Sequence, residues 1–288
     1  MRRSFPGRAR LGSLRRAVRA GAQQLDPSRF SQRRPAPGTR IGCVCVYRVR
    51  HVTDVRRLLA RVPCDADVRL WCLDGGPADI PGDLAPITVG HGAGTRFALL
   101  NRLIGALPAE RPDALVLLDD DVRLVVGDLG ALVATGLDAG LDLFQPAHAA
   151  NSHASWGLVH RQPMTVLRRT ALVEQGPVLV LSSRAQEHLL PLPEDLGMGW
   201  GSEVRWSRTA DLHGLALGVI DAVAVRHLLP GGGAYDKDAA EAFLAAELAA
   251  VGLSRLDDLM GVRSSVRVGV SFRRLHRLVG RGDRAVGA

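Results

Sequence analysis

Asp119, Asp120 and Asp121 follow an apolar run in ALVLLDDDVRL, Ala114 to Leu124. Neighbouring carboxylates repel one another, and burying one is costly unless something compensates it. In extended chain, residues two apart point to the same side. Asp119 and Asp121 therefore face one spot, and Asp120 faces away or caps the next turn. Two convergent carboxylates suit a hard divalent cation, Mg²⁺ or Mn²⁺, which takes oxygen ligands and commonly shares them with substrate phosphates. The pattern predicts a metal held beside a diphosphate, neutralising it as it leaves. Turn capping accounts for one aspartate more readily than for three.

The elements around this triplet follow from hydrophobic periodicity. IGCVCVY, Ile41 to Tyr47, is continuously apolar and β-branched, as in a strand buried on both faces. VTDVRRLLARV has apolar residues at helical spacing. DVRLWCLD is a second strand, ending at Asp74 before Gly75 and Gly76. A short ITVG strand, the helix GTRFALLNRLIGAL and the strand ALVLLDDDV come next, then a helical segment near Asp128 to Leu141 and the strand LFQPAH. Strand and helix in alternation predict a mostly parallel central sheet flanked by helices. Parallel sheets bind ligands at the carboxyl ends of their strands, where the aspartates lie.

The second half is less regular. TVLRRTALVE and PVLVLSS look like strands, AQEHLLP starts a helix, and GMGWGSEVRWSRTADLHGL is a glycine-rich loop entering a helix. LGVIDAVAVRHL is a pair of short strands or one bent strand, and GGGAYDKDAAEAFLAAELAAV is a glycine loop followed by a helix.

With 288 residues, 47% hydrophobic, the chain can bury a sizeable core. Its apolar runs fall short of the roughly 18–20 residues of a membrane-spanning helix, and the basic N-terminus lacks the apolar stretch of a secretory signal. Cys43, Cys45, Cys64 and Cys72 form no C-x-x-C pair, so they read as free thiols in a reducing cytoplasm.

The net charge of +8 is unevenly placed. Residues 1–40 carry eleven Arg and one acid, giving +10; residues 262–288 carry seven Arg and one acid, giving +6; residues 41–261 therefore carry −8. An acidic body argues against a nucleic-acid groove. We read residues 1–40 as a basic, flexible tail, 41–261 as the globular domain and 262–288 as a second basic tail. Leu11, Leu14 and Val18 could line one side of a short basic helix, and such tails suit an anionic membrane surface. Arginine almost wholly replaces lysine, Lys237 excepted, so genome composition is a competing explanation.

A strand ending in Asp119-x-Asp121 within an α/β domain resembles the nucleotide-sugar glycosyltransferases of the GT-A fold, family 2-like, over most of residues 41–230. The resemblance implies a metal-dependent transfer of a sugar from a nucleotide-sugar donor to a hydroxyl of a glycan, lipid or small-molecule acceptor. It implies donor contacts at Asp74, Arg96, Asp119 and Asp120, and a metal, Mn²⁺ or Mg²⁺, at Asp119, Asp121 and a late His, here His227. In GMGWGSEVRWS it implies an acceptor-side motif, with Glu203 as the base and Asp195 as its rival. Trp200 and Trp156 become acceptor-site walls. Glycines there let the backbone approach a sugar, and a helix N-terminus stabilises the Glu203 anion. The family's paired acids are absent after the tryptophan, which leaves open whether the enzyme inverts or retains. A base at Glu203 belongs to inversion; with retention it binds acceptor only. Asp74 has an alternative reading as a turn initiator, Arg96 as a solvated helix residue and His227 as a structural histidine.

Two other functions fit the pattern less closely. A sugar-1-phosphate nucleotidyltransferase has a related sheet, but its first strand runs into a glycine-rich loop, and this one runs into Tyr47-Arg48-Val49-Arg50. A catalytically silent, membrane-peripheral module of the same fold would have no need of Asp119, Asp121 and Glu203. The expectation is a cytoplasmic enzyme, peripheral at the inner face of the membrane where its tails bind.

Overall fold

A computed structural model describes residues 32–108, 111–196, 199–230, 237–256 and 260–267. Among these residues ten strands form one sheet in the order β10-β7-β9-β6-β8-β4-β1-β2-β3, with β5 paired to β9. The first half supplies β1 (Ile41–Tyr47), β2 (Asp67–Cys72), β3 (Thr88–His91), β4 (Ala114–Asp119) and β5 (Val122–Val126). The second supplies β6 (Leu143–His148), β7 (Thr165–Thr170), β8 (Val178–Ser182), β9 (Leu217–His227) and β10 (Val262–Arg267). Strands β1, β2, β3, β4, β6, β9 and β10 run one way, and β5, β7 and β8 run against them. This is the mostly parallel sheet that the alternating pattern predicts.

Among the described residues six α-helices cover it: α1 (Val52–Leu59), α2 (Arg96–Gly105), α3 (Leu129–Asp138), α4 (Ser183–Leu189), α5 (Ser202–His213) and α6 (Lys237–Ala250). Side chains alternate across the central strands. Ile41, Cys43 and Cys45 of β1 and Ala114, Val116 and Leu118 of β4 pack with Val55 and Leu58 of α1 and Leu132 and Val133 of α3. Val44, Leu115 and Leu117 pack on the other face with Phe97, Leu100 and Leu103 of α2 and Trp206 of α5. Both faces are dry, which is why β1 and β4 lack an apolar-polar alternation. The four cysteines are free, and all but Cys64 are buried.

The structure adds β5 and β10 to the sequence reading and decides between its two readings of LGVIDAVAVRHL. The chain turns at Asp120 and Asp121 and returns as β5, antiparallel to β9, ahead of the helix that the sequence places near Asp128. LGVIDAVAVRH, read as two short strands or one bent strand, is the single strand β9, and its register slips between Pro146 and Ala147 of its neighbour β6. Residues 262–267, within the span that charge marks as a tail, form β10 on the sheet edge. At the other end, Arg33 and Arg34 pair with Asp138 and Asp128, laying part of the basic segment against α3. Residues 1–31, with the expected basic helix, and residues 268–288 lie outside the described residues.

A buried ion pair fixes the irregular half. Arg168 and Asp221 are both fully buried, joined by Nε–Oδ2 and Nη2–Oδ1 contacts of 2.8 and 3.0 Å. Arg168 also donates to the carbonyls of Leu158 and His160, and Asp221 accepts from the Gln162 amide. The pair thereby ties the segment after Trp156 to β7 and β9. Removing one partner strands a buried charge, which typically costs about 3–5 kcal/mol. Arg168→Met should lower unfolding stability by that order in a urea titration, and Arg168→Met/Asp221→Leu should recover a good part of it. An additive double variant would contradict the pairing.

Candidate active site

Alternation sends the three aspartates to different basic partners. Asp119 continues the face of Leu115 and Leu117, under α2, and its Oδ1 accepts from Arg96 Nε and Nη2 at 2.9 and 2.8 Å. Asp120 continues the opposite face. It accepts from the Arg48 amide at 2.7 Å and from Arg48 Nη1 at 3.2 Å, and lies 2.9 Å from His51 Nδ1. Asp121, at the turn, meets His227 at the end of β9, with Oδ1 and Nε2 3.1 Å apart. The Ser152 hydroxyl accepts from the His227 amide and lies 2.9 Å from His148 Nδ1.

These contacts set the charge states. Asp120 is 4% exposed, and burial raises its carboxyl despite Arg48 and His51. Asp121 is 8% exposed; burial pushes upward, but the bond and charge of His227 outweigh it and hold the carboxyl below its ordinary value. His227 is displaced upward in turn: burial opposes its protonation, and Asp121, Asp119 and Glu174 outweigh burial.

Asp119, Asp120, Asp121 and His227 line a cavity of about 490 Å³ at the carboxyl ends of β1 and β4. Arg96, Trp156, Trp200 and Glu203 line it as well, so the predicted donor and acceptor residues meet in one place. Two candidates stand elsewhere. Asp74 is exposed and accepts from the Val49 amide at 2.8 Å, bracing the turn after β1. Asp195 forms a two-pronged ion pair with Arg205, at 3.0 and 2.7 Å, which also holds Glu247. Its carboxyl, 64% exposed, is drawn below its usual value by the Arg205 bonds.

Glu203 opens α5 and is 6% exposed. Burial drives its carboxyl up to about 7, with the nearby Glu174 charge adding to the rise. The helix N-terminus therefore does not keep it an anion as the sequence suggests, because desolvation outweighs the dipole. The glycines beside it serve the backbone. Gly199 and Gly201 have φ of 97° and 93°, and a Cβ at Gly199 would lie 1.9 Å from Gln175 Oε1. Gly197 and Met198 of the same motif, and Gly231, Gly232 and Gly233, lie outside the described residues.

The expected three metal ligands do not converge. Among the described residues no group of three or more His, Cys, Asp or Glu side chains is arranged to hold an ion, because Asp119 is turned to Arg96. Asp121 and His227 remain. Their 3.1 Å separation matches neighbouring ligands at right angles on an ion with bonds of about 2.1 Å, so this pair fits a cation completed by phosphate and water. Sequence reasoning missed Arg48 and Arg50, which line the cavity just past β1, and Glu174 between β7 and β8. The strand-end rule points to the arginines; nothing in TALVEQGPVLV marks Glu174.

By fold, the chain is similar to a crystal structure of GalNAc-T7 with UDP, GalNAc and Mn²⁺, with a TM-score of 0.51 and 14% identity over 67% of this chain. It is also similar to TarS residues 1–349 of S. aureus, with a TM-score of 0.45 and 12% identity over 64% of this chain. The chain spans 44% of the GalNAc-T7 chain and 60% of the TarS chain. Neither a family model nor a curated protein sequence matches it. The likeness to GalNAc-T7, with the strand order above, shows the GT-A fold.

Glu203 gives a pH test. Its folded pKa lies above the ordinary value of 4.5, so its contribution to stability is full below pH 4.5 and is lost as pH rises through about 7. Wild type should therefore weaken relative to Glu203→Gln by up to about 3 kcal/mol between pH 4.5 and 8. Urea unfolding at both pH values in chelator checks this; a pH-independent difference would contradict the buried carboxyl.

Proposed function

We propose that the chain transfers a sugar from a nucleotide-sugar donor to a hydroxyl of a glycan, lipid or small-molecule acceptor. The observation that carries this is the meeting, in one cavity, of the Asp121–His227 pair and the buried Glu203 carboxyl poised near 7. Asp121 and His227 would hold a divalent cation, Mn²⁺ or Mg²⁺, with donor oxygens and water. When bound, the ion neutralises the departing diphosphate. Arg48, Arg50 and Arg96 sit on the same wall and offer cationic donors to phosphate oxygens. Asp119 orients Arg96, and Asp120 orients Arg48. Glu203 accepts the proton of the attacking hydroxyl, a task matched to a carboxyl titrating near neutrality. Trp156 and Trp200 give apolar walls for a ring.

The test is release of nucleoside diphosphate from a panel of nucleotide sugars with Mn²⁺ or Mg²⁺. One donor should be consumed, Asp121→Asn should nearly abolish turnover, and Glu203→Gln should slow transfer by about 10²–10⁴-fold with donor affinity retained. Full turnover in excess chelator would sink the metal reading. Loss of donor binding with near-normal transfer in Glu203→Gln would sink the assignment of the base.

The basic ends suit work at an anionic membrane, where each basic residue contributes about 1 kcal/mol. The full chain should co-sediment with vesicles rich in phosphatidylserine and come off at high salt, and a chain trimmed to residues 32–267 should stay in the supernatant. Equal recovery of both in the supernatant would remove the membrane role.

A further inference from the structure

Strand β9 ends at His227, and the way the chain is tied there sets the Asp121–His227 pair. On the β5 side the ladder runs to the end. Val122 pairs with His227, and the Leu228 amide donates to the Asp121 carbonyl at 2.9 Å. On the β6 side the ladder stops earlier. Its last pair is His148 with Val225, followed by a bond from the Ala149 amide to the Val225 carbonyl at 2.8 Å. The backbone groups of successive residues point to opposite edges of a strand. Since Leu228 bonds toward β5, the amide and carbonyl of His227 point the other way, past the end of β6. A partly buried amide without an acceptor is costly.

Ser152 stands in for the missing strand. Its Oγ accepts from the His227 amide at 2.8 Å and lies 2.9 Å from Nδ1 of His148, a side chain with no exposed surface. The hydroxyl is thereby tied to the core at the end of β6 as well as to its own loop. The next residue completes the clasp, for the His153 amide donates to the His227 carbonyl at 3.3 Å. With both backbone groups of His227 held, its Nε2 stands 3.1 Å from Asp121 Oδ1. That separation is the one two neighbouring ligands of a small divalent ion require.

We propose that Ser152 is a positioning residue: its hydroxyl replaces a strand at the end of β9, holds His227 in register with Asp121, and so keeps these two groups at the separation a divalent cation needs. The part that concerns the cation rests on the metal-dependent reading above; the hold on His227 does not.

Reaction of the histidines with diethyl pyrocarbonate in EDTA, followed peptide by peptide by mass spectrometry, reads the pair without metal or turnover. In wild type His227 should react slowly, being 20% exposed and bonded to Asp121. In Ser152→Ala it should react several-fold faster, while the exposed His188 and His213 keep their wild-type rates. With UDP, GDP or ADP present, Mn²⁺ followed by electron paramagnetic resonance should bind Ser152→Ala about 10- to 100-fold more weakly, the usual cost of losing an outer partner of a metal ligand. Ser152→Thr and Ser152→Val share one shape and differ in the hydroxyl. The Thr variant should behave as wild type and the Val variant as Ser152→Ala, a contrast that general loosening of the loop would not produce and that decides the matter if Ser152→Ala is unstable. Equal reactivity of His227 in wild type and Ser152→Ala, or Thr and Val variants that behave alike, would overturn the assignment. Faster reaction in Ser152→Ala together with no Mn²⁺ binding by wild type would count against the metal reading and leave the positioning role standing.

Discussion

Three carboxylates in a row at the end of a dry strand repel one another, and the site is organised around giving each its own basic partner. Asp119 takes Arg96 from α2, Asp120 takes Arg48 and His51 from the chain after β1, and Asp121 takes His227 from β9. These partners come from elements far apart in sequence. The charge of one tripeptide thus draws the ends of β1, β4 and β9 and the start of α2 to a single point. The strand's own alternation makes this possible, because consecutive side chains leave β4 on opposite faces.

The same pairing shapes the cavity. Arg48 and Arg96 line it, held by Asp120 and Asp119. Glu174 and Glu203 line the same cavity, and burial lifts both carboxyls above the ordinary range, with His227 opposing the rise at Glu174. Apolar packing on both faces of β1 and β4 supplies the rigidity that keeps these groups in place.

Much of this was legible in the sequence. The strand Ile41–Tyr47, the strand LFQPAH and the meeting of Asp119, Asp121, Arg96, Trp200, Glu203 and His227 follow from periodicity and from the family resemblance. Other features depend on partners that no local pattern names. Asp195 and Glu203 lie in one glycine-rich stretch, and only the packing of Arg205 against Asp195 and Glu247 separates their fates. Asp119 was legible as a carboxylate at the site but not as the counter-ion of Arg96. The proton affinity of Glu203 depends on burial rather than position in its helix. Glu174 carried no signal, since an isolated acid between two strands ordinarily faces water.

The central claim is that the Asp121–His227 pair binds a diphosphate through a divalent cation. Calorimetric titration with UDP, GDP and ADP tests it without knowledge of the sugar or acceptor. One of these nucleotides should bind with Mn²⁺ present, and either EDTA or Asp121→Asn should weaken it by about tenfold or more, the equivalent of roughly 1.4 kcal/mol. Binding of equal strength in EDTA and in Asp121→Asn would contradict the account.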